Sequence, residues 1–218
     1  QLQPAREAVG GQRHRADDGR PAPGDRNYQR RYEELLEEAR RCRSLVQDLL
    51  RLSRKGPVKL SLIQMEDVVG AAVNAVKTEL DRNNVELILE QEAHLPPVMG
   101  NPDHLRQVLL NLLYNAIYEA GKKEDGKGEI RLKCPGPELL LVVADNGDGI
   151  PAASLNKLSD PFFTTKGPDE GTGLGLTIIQ RIVTEHGGTL SAENRCDGGA
   201  LFRVVLPLAE TRSDRIVS

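Results

Sequence analysis

A chain of 218 residues exceeds the roughly 100 to 150 commonest for one domain, so it holds a full domain plus an appendage, and its 39% hydrophobic content can build a sizeable core. Aromatics reach only 3% and Trp is absent, leaving Leu, Val, Ile and Ala to fill that core. A formal net charge of -3 offers no broad basic field, which argues against a nucleic-acid partner.

Residues 1–27 mix Gly10, Gly11, Arg13, Arg15, Asp17 and Asp18 with a Pro21 to Gly24 stretch, and almost nothing apolar follows Val9. Too little surface can be buried there to order it, so it reads as a linker or remnant. From residue 28 the pattern changes to a long charged helix reaching residue 54, with Leu35, Leu36, Ala39, Cys42, Leu45, Val46, Leu49, Leu50 and Leu52 on its apolar side. Glu33, Glu34, Glu37 and Glu38 form its wet face. Such a stripe needs a partner. After Lys55, Gly56 and Pro57 come a short apolar segment at 58–63, a helix predicted over 65–82 and a strand over 85–90. Pro96 and Pro97 close this unit.

Asn101 then supplies an N-cap, and Pro102 suits the first helical position. Leu105, Val108, Leu109, Leu112, Leu113, Ala116 and Ile117 recur at helical spacing as one buried stripe. Asn111 and Asn115 sit four apart, so about 3.6 residues per turn puts both amides on one face. Their neutral oxygens suit a hard cation such as magnesium, which keeps waters and substrate phosphates as its other ligands. Past a polar loop at 121–128, strands are predicted at 129–133 and 139–144. Asp145, Asn146, Gly147, Asp148, Gly149 and Ile150 follow the second of these. A carboxylate at a strand end can accept from an amino group such as adenine's, and glycines at 147 and 149 let backbone approach a planar base. Gly171, Thr172, Gly173, Leu174, Gly175 and Leu176 open a helix that continues through Ile178, Ile179, Ile182 and Val183. Backbone N–H groups and the helix dipole favour a phosphate chain there. No Lys-Ser or Lys-Thr follows the last glycine, so this is not a Walker loop.

Strands from Thr189 and from Ala200 complete the sheet, and residues 211–218 form a tail. The fold class expected is α+β: a two-layer sandwich of a mixed, mostly antiparallel sheet with helices on one face, preceded by the long helix. Cys42, Cys134 and Cys196 are far apart and odd in number, giving neither a metal spacing nor a disulfide framework, and read as reduced cytosolic thiols. His14 lies among linker residues, His94 precedes two prolines, His104 opens the asparagine helix, and His186 ends the last helix where a cation is favoured. No apolar run approaches the roughly 20 residues that cross a bilayer, and no signal-peptide pattern opens the chain. The first residue, Gln1, points to a fragment of a longer protein.

Singly these signals are weak, but their order is specific. Residues 107–120, 145–150, Pro161 to Lys166 and 171–176 resemble the asparagine, first glycine, phenylalanine and second glycine boxes of the sensor histidine kinase ATP-binding domain. That domain belongs to the superfamily shared with gyrase, the Hsp90 chaperones and MutL. His186 to Leu190 and Gly198 to Pro207 resemble family endings too. The resemblance implies ATP and Mg2+ as cofactors. Asn115 would coordinate magnesium with Asn111 nearby, Asp145 would accept from the adenine amino group, and Gly147, Gly149 and Ile150 would border the base. Residues 151–172 would be a mobile lid, with Phe162 and Phe163 as anchors and Thr164, Thr165 and Lys166 available to the nucleotide. Gly171, Gly173, Leu174, Gly175 and Leu176 would meet the phosphates. Tyr118 and Glu119 stand where the family often has a basic residue and an aromatic, and Ala200 stands where a Thr is common.

Residues 44–54 resemble the second helix of the family's dimerisation hairpin, within a segment bounded at 28–56, and the ATP-binding domain would occupy 57–210. No segment fits the first hairpin helix with its acceptor His. The function implied is transfer of the ATP γ-phosphoryl group to a histidine supplied from elsewhere. Partners would be the hairpin carrying that histidine and a response regulator receiver domain, within a homodimeric, cytoplasmic assembly. Two alternatives remain open: a nucleotide-binding regulatory module without transfer, and an anti-sigma-type serine kinase, which the 44–54 segment disfavours.

Overall fold

The structure, a computed structural model, describes residues 30–32, 35, 59–155 and 173–209. The chain divides into two units, Gln1–Val46 and Gln47–Ser218. In the first, the described residues Arg30, Arg31, Tyr32 and Leu35 are helical and exposed; the rest of the helix expected over 28–54 lies outside the described residues. All that follows concerns the second unit.

Its helices begin and end where their side chains dictate. Helix α1, Met65–Arg82, buries Met65, Val68, Val69, Ala72, Val76 and Leu80 at three- and four-residue spacing. Asn83 closes it, its Nδ2 donating to the Glu79 carbonyl at 2.8 Å. Helix α2, Pro102–Ala120, is the central one, and its whole expected stripe is buried. Asn101 Oδ1 accepts from the Asp103 and His104 N–H groups at 3.1 Å each, so two donors without intrahelical partners are satisfied.

Strands β2 (Glu86–Gln91), β4 (Lys127–Lys133), β5 (Glu138–Asp145), β6 (Thr189–Asn194) and β7 (Ala200–Pro207) form one sheet in the order β2-β4-β5-β7-β6. Only β2 and β4 run parallel; the other pairs are antiparallel, which makes the sheet mixed and mostly antiparallel. Alternation assigns the faces. Leu139, Leu141 and Val143 of β5, with Phe202, Val204 and Leu206 of β7, are buried on the face that α2 covers. On the other face Leu140, Val142, Ala144 and Leu201 form a narrow apolar strip. Charged neighbours flank that strip: Glu129 takes both Arg131 and Arg195, and Arg203 pairs with Glu193 at 2.6 Å. Long arginine stems can cover apolar surface while their heads stay wet, so no second helical layer is needed there.

A second, two-stranded sheet pairs β1 (Ser61–Ile63) with β3 (Val98–Gly100), setting Leu62 opposite Met99. The sequence gives no periodic signal for a strand of three residues between Pro97 and Asn101; its partner 39 positions earlier makes it one. Helix α3 is a single turn, Ala152–Leu155. Helix α4, Gly175–Glu185, buries Ile178, Ile179, Ile182 and Val183. It packs against α2 and runs back along it. At one end the Asn101 N–H donates to His186 Nε2 at 3.0 Å, and His186 Nδ1 meets the Ile182 carbonyl at 2.7 Å. Because Nε2 accepts, the ring proton sits on Nδ1. His186 is buried and joins two helices, rather than resting as a surface cation at a helix end. Among the described residues no helix is long and apolar enough to cross a membrane.

Candidate functional site

The C-terminal half of α2, the end of β5 and the start of α4 carry the residues singled out from the sequence. Asn111 and Asn115 are both half-buried, one turn apart. Asn111 Oδ1 accepts from Gln107 Nε2 at 2.7 Å, and its Nδ2 donates to the Gly175 carbonyl at 3.4 Å. Asn111 therefore ties α2 to the first residue of α4, and Asn115 lies one turn further along α2. A further turn on, Glu119 accepts from Lys122 Nζ at 2.8 Å, and the same ammonium lies 4.4 Å from the Tyr118 ring centre. Lys122 thus supplies a basic group beside a tyrosine and a carboxylate at the two positions where the sequence departs from the resembled pattern.

Asp145 ends β5 and is 3% exposed. Its Oδ1 accepts two backbone N–H groups, Gly147 at 2.9 Å and Ala200 at 3.2 Å. Oδ2 is the oxygen left for a ligand donor. Burial pushes this carboxyl above its ordinary range and Glu119 adds to the effect, while the Gly147 and Ala200 N–H groups and Arg195 pull the other way. At position 200 it is the main chain, not the alanine side chain, that supports Asp145.

Gly147 is also small because of what it packs against. A Cβ there would lie 2.6 Å from Glu119 Cβ, so glycine lets the loop pack on α2. Asn146 closes the same loop, accepting from Lys127 N at 2.7 Å and donating to the Asp125 carbonyl at 2.8 Å. Gly149 and Ile150 follow, both half-buried.

Gly173, Leu174, Gly175 and Leu176 form the entry to α4, with Leu174 buried. Among the described residues no side chain caps this helix, so its first-turn N–H groups can be satisfied by a ligand. Phe162, Thr164, Thr165, Lys166 and Gly171 lie outside the described residues, as does the expected lid beyond Leu155. Three features escaped the sequence reading. Thr177 Oγ1, in the first turn of α4, is buried without a hydrogen-bond partner among the described residues. Gly199 lies so close to the Asp145 carbonyl oxygen that a Cβ would overlap it. Asn194 contacts Ile150 from across the sheet edge. The Gly198-Gly199 pair after Asp197 is a turn signal, but nothing local says what that turn touches.

A family model described as histidine kinase-, DNA gyrase B-, and HSP90-like ATPase matches residues 100–210, the span that holds Asn111, Asn115, Asp145 and the α4 entry. The chain belongs to this family. Sensor histidine kinase ZraS of Klebsiella oxytoca is 33% identical over 180 residues, covering 83% of this chain and 38% of ZraS. The C4-dicarboxylate transport sensor protein DctB of Rhizobium meliloti is 35% identical over 181 residues, covering 81% of this chain and 28% of DctB. The chain therefore spans well under half the length of these two relatives. Among solved structures, the nucleotide-free catalytic domain of histidine kinase ThkA shares 30% identity with a TM-score of 0.63, covering 69% of this chain and 96% of that one. ThkA in complex with the response regulator protein TrrA has the same fold at 24% identity, TM-score 0.72, covering 88% of this chain and 54% of that one. In this histidine kinase ATPase domain, the α2–α4 seam and the end of β5 bring together Asn111, Gly175 and Asp145.

Proposed function

We propose that this chain is the ATP-binding catalytic part of a two-component sensor histidine kinase and passes the γ-phosphoryl group of ATP to a histidine outside the chain. The observation that carries the reading is Asp145. A buried carboxylate has one oxygen held by two backbone N–H groups and the other left to accept from an amino group, as adenine recognition requires. Gly147, Gly149 and Ile150 border the base, and Tyr118 and Glu119 lie beside it with Lys122. Gly173, Gly175 and Leu176 offer backbone to the phosphates, joined by Gly171, Phe162, Thr164, Thr165 and Lys166.

Magnesium fits the donor set. Asn115 gives a neutral hard oxygen, and among the described residues no cluster of three His, Cys, Asp or Glu forms an all-protein cage. A cation held by one amide, waters and phosphates is the arrangement magnesium favours. When bound it neutralises charge on the transferring phosphoryl group, and the chain's own share is positioning and backbone N–H donation. Partners are a dimerisation hairpin carrying the acceptor histidine, within a homodimer, and a response regulator receiver domain; the location is cytoplasmic. The domain bounds are 57–210, with 28–56 as the second hairpin helix, 1–27 a linker and 211–218 a tail.

Radiolabelled ATP supplied with a separate dimerisation hairpin tests this. Label on the hairpin histidine is expected, and its absence with a binding-competent chain overturns transfer. A second reading, a regulatory module that holds nucleotide without transfer, is favoured by Tyr118 and Glu119 replacing a basic and an aromatic residue. Calorimetric ATP binding with no label would select it.

A further inference from the structure

Asparagine's planar amide carries one acceptor oxygen and two donor hydrogens, the same pattern a neighbouring backbone offers in a strand pair. Asn194, the last residue of β6, uses both sides of that amide on a single residue. Its Oδ1 accepts from the Ile150 N–H at 2.7 Å and its Nδ2 donates to the Ile150 carbonyl at 2.8 Å. The pairing spans 44 positions and replaces a β-bridge with a side chain. Gly149 is shaped to the same contact. Its φ is 78°, and a Cβ there would lie 2.9 Å from Asn194 Oδ1.

The turn that follows Asn194 also reaches Asp145. Arg195 N–H donates to the Gly199 carbonyl at 3.0 Å and closes the turn, Gly199 packs on the Asp145 main chain, and Ala200 N–H donates to Asp145 Oδ1 at 3.2 Å. One hairpin turn thus holds both the carboxylate at the end of β5 and the backbone five residues later. Asn194 itself is exposed, so its bonds compete with water and contribute little to global stability. Their consequence is local: they fix where Gly149 and Ile150 stand relative to Asp145.

We propose that Asn194 is a positioning residue for adenine recognition, clamping Ile150 so that the backbone at 149 and 150 lies at a set distance from the Asp145 carboxylate. This rests on the nucleotide-binding reading above. Among the described residues the Asn194 side chain bonds to Ile150 alone, so its effect falls on base affinity.

The experiment compares the unsubstituted full chain with Asn194→Ala and Asn194→Asp, using calorimetry with ATP and adenosine, competition by inorganic tripolyphosphate, and amide hydrogen exchange at Ile150. Asn194→Ala is expected to weaken ATP and adenosine alike by about tenfold, equivalent to about 1.4 kcal/mol, to leave tripolyphosphate competition unchanged and to speed exchange at Ile150. Asn194→Asp keeps the acceptor for the Ile150 N–H but sets a carboxylate oxygen against the Ile150 carbonyl. It should bind adenosine with intermediate affinity and keep Ile150 exchange slow. Adenosine binding unchanged in Asn194→Ala, or tripolyphosphate weakened by the same factor as adenosine in either variant, overturns the positioning role. Failure of the unsubstituted chain to bind ATP instead removes the nucleotide reading, and this inference with it.

Discussion

Asp145, at the base end of the candidate pocket, closes a strand with hydrogen-bonded neighbours on both sides, whereas Gly175, at the phosphate end, begins a helix with no side-chain cap among the described residues. At the base end two backbone N–H groups hold one carboxylate oxygen, a glycine packs against α2, and a hairpin turn supports the strand from behind. At the phosphate end the described cross-link between α2 and α4 is a 3.4 Å bond from Asn111 to the Gly175 carbonyl. The difference teaches how a pocket can be half built in advance. A sheet end supplies rigid geometry for recognising a planar base, while a helix start leaves N–H groups whose hydrogen bonding a phosphate chain completes.

The comparison breaks most readily at Asp145. In Asp145→Asn the amide oxygen stays with the Gly147 and Ala200 N–H groups, leaving an N–H facing an adenine N–H. ATP affinity should fall on the order of 100-fold, about 2.7 kcal/mol, while the melting temperature does not fall. The native carboxyl also predicts a pH dependence. Its folded pKa is raised, chiefly by burial, so the folded chain binds the proton more tightly than the unfolded chain. Stability from this group is greatest below the ordinary carboxylate range and declines as pH rises through the window up to the raised value. ATP affinity runs the opposite way, weakening on acidification within that window. Asp145→Asn should flatten both profiles in parallel melts and titrations.

Gly199→Ala tests the support behind the base end. Its φ is 89° and its Cβ would meet the Asp145 carbonyl, so urea unfolding should show a loss of about 2 kcal/mol. Asn115→Ala sharpens the other side: Mg-ATP should bind about tenfold more weakly, with adenosine affinity unchanged in calorimetry. A matched loss of adenosine would place Asn115 at the base instead. Asn111→Ala removes the tie between α2 and α4 and should cost about 1 kcal/mol in denaturant melts. Smallest is Arg203→Ala, on the face of the sheet away from α2, where loss of the exposed pair with Glu193 should leave ATP affinity where it was in calorimetry.

Much of this was readable in advance, and residues show why. The Asn101-Pro102 start of α2, its seven-member apolar stripe and the 65–82 helix depend on caps and on periodicity within a few residues of sequence. Strand edges moved by one or two positions, as with β4 beginning at Lys127 inside an expected loop, because pairing rather than composition ends a strand. The order of the glycine clusters pointed to the family before any coordinates. What Asn111 engages was not readable, since its bond to the Gly175 carbonyl depends on where α4 lies against α2.

By itself, then, the sequence determined where helices start, which faces are apolar and which clusters could hold a nucleotide, because each depends on neighbours along the chain. The tertiary structure decided the rest: β3 as a strand, His186 as the joint between α2 and α4, Ala200 as the main-chain support of Asp145 and Asn194 as the clamp on Ile150. These contacts join residues 39 to 85 positions apart. A hydrogen bond between such distant groups leaves no local mark, since it depends on where the whole sheet and its helices bring the two groups together.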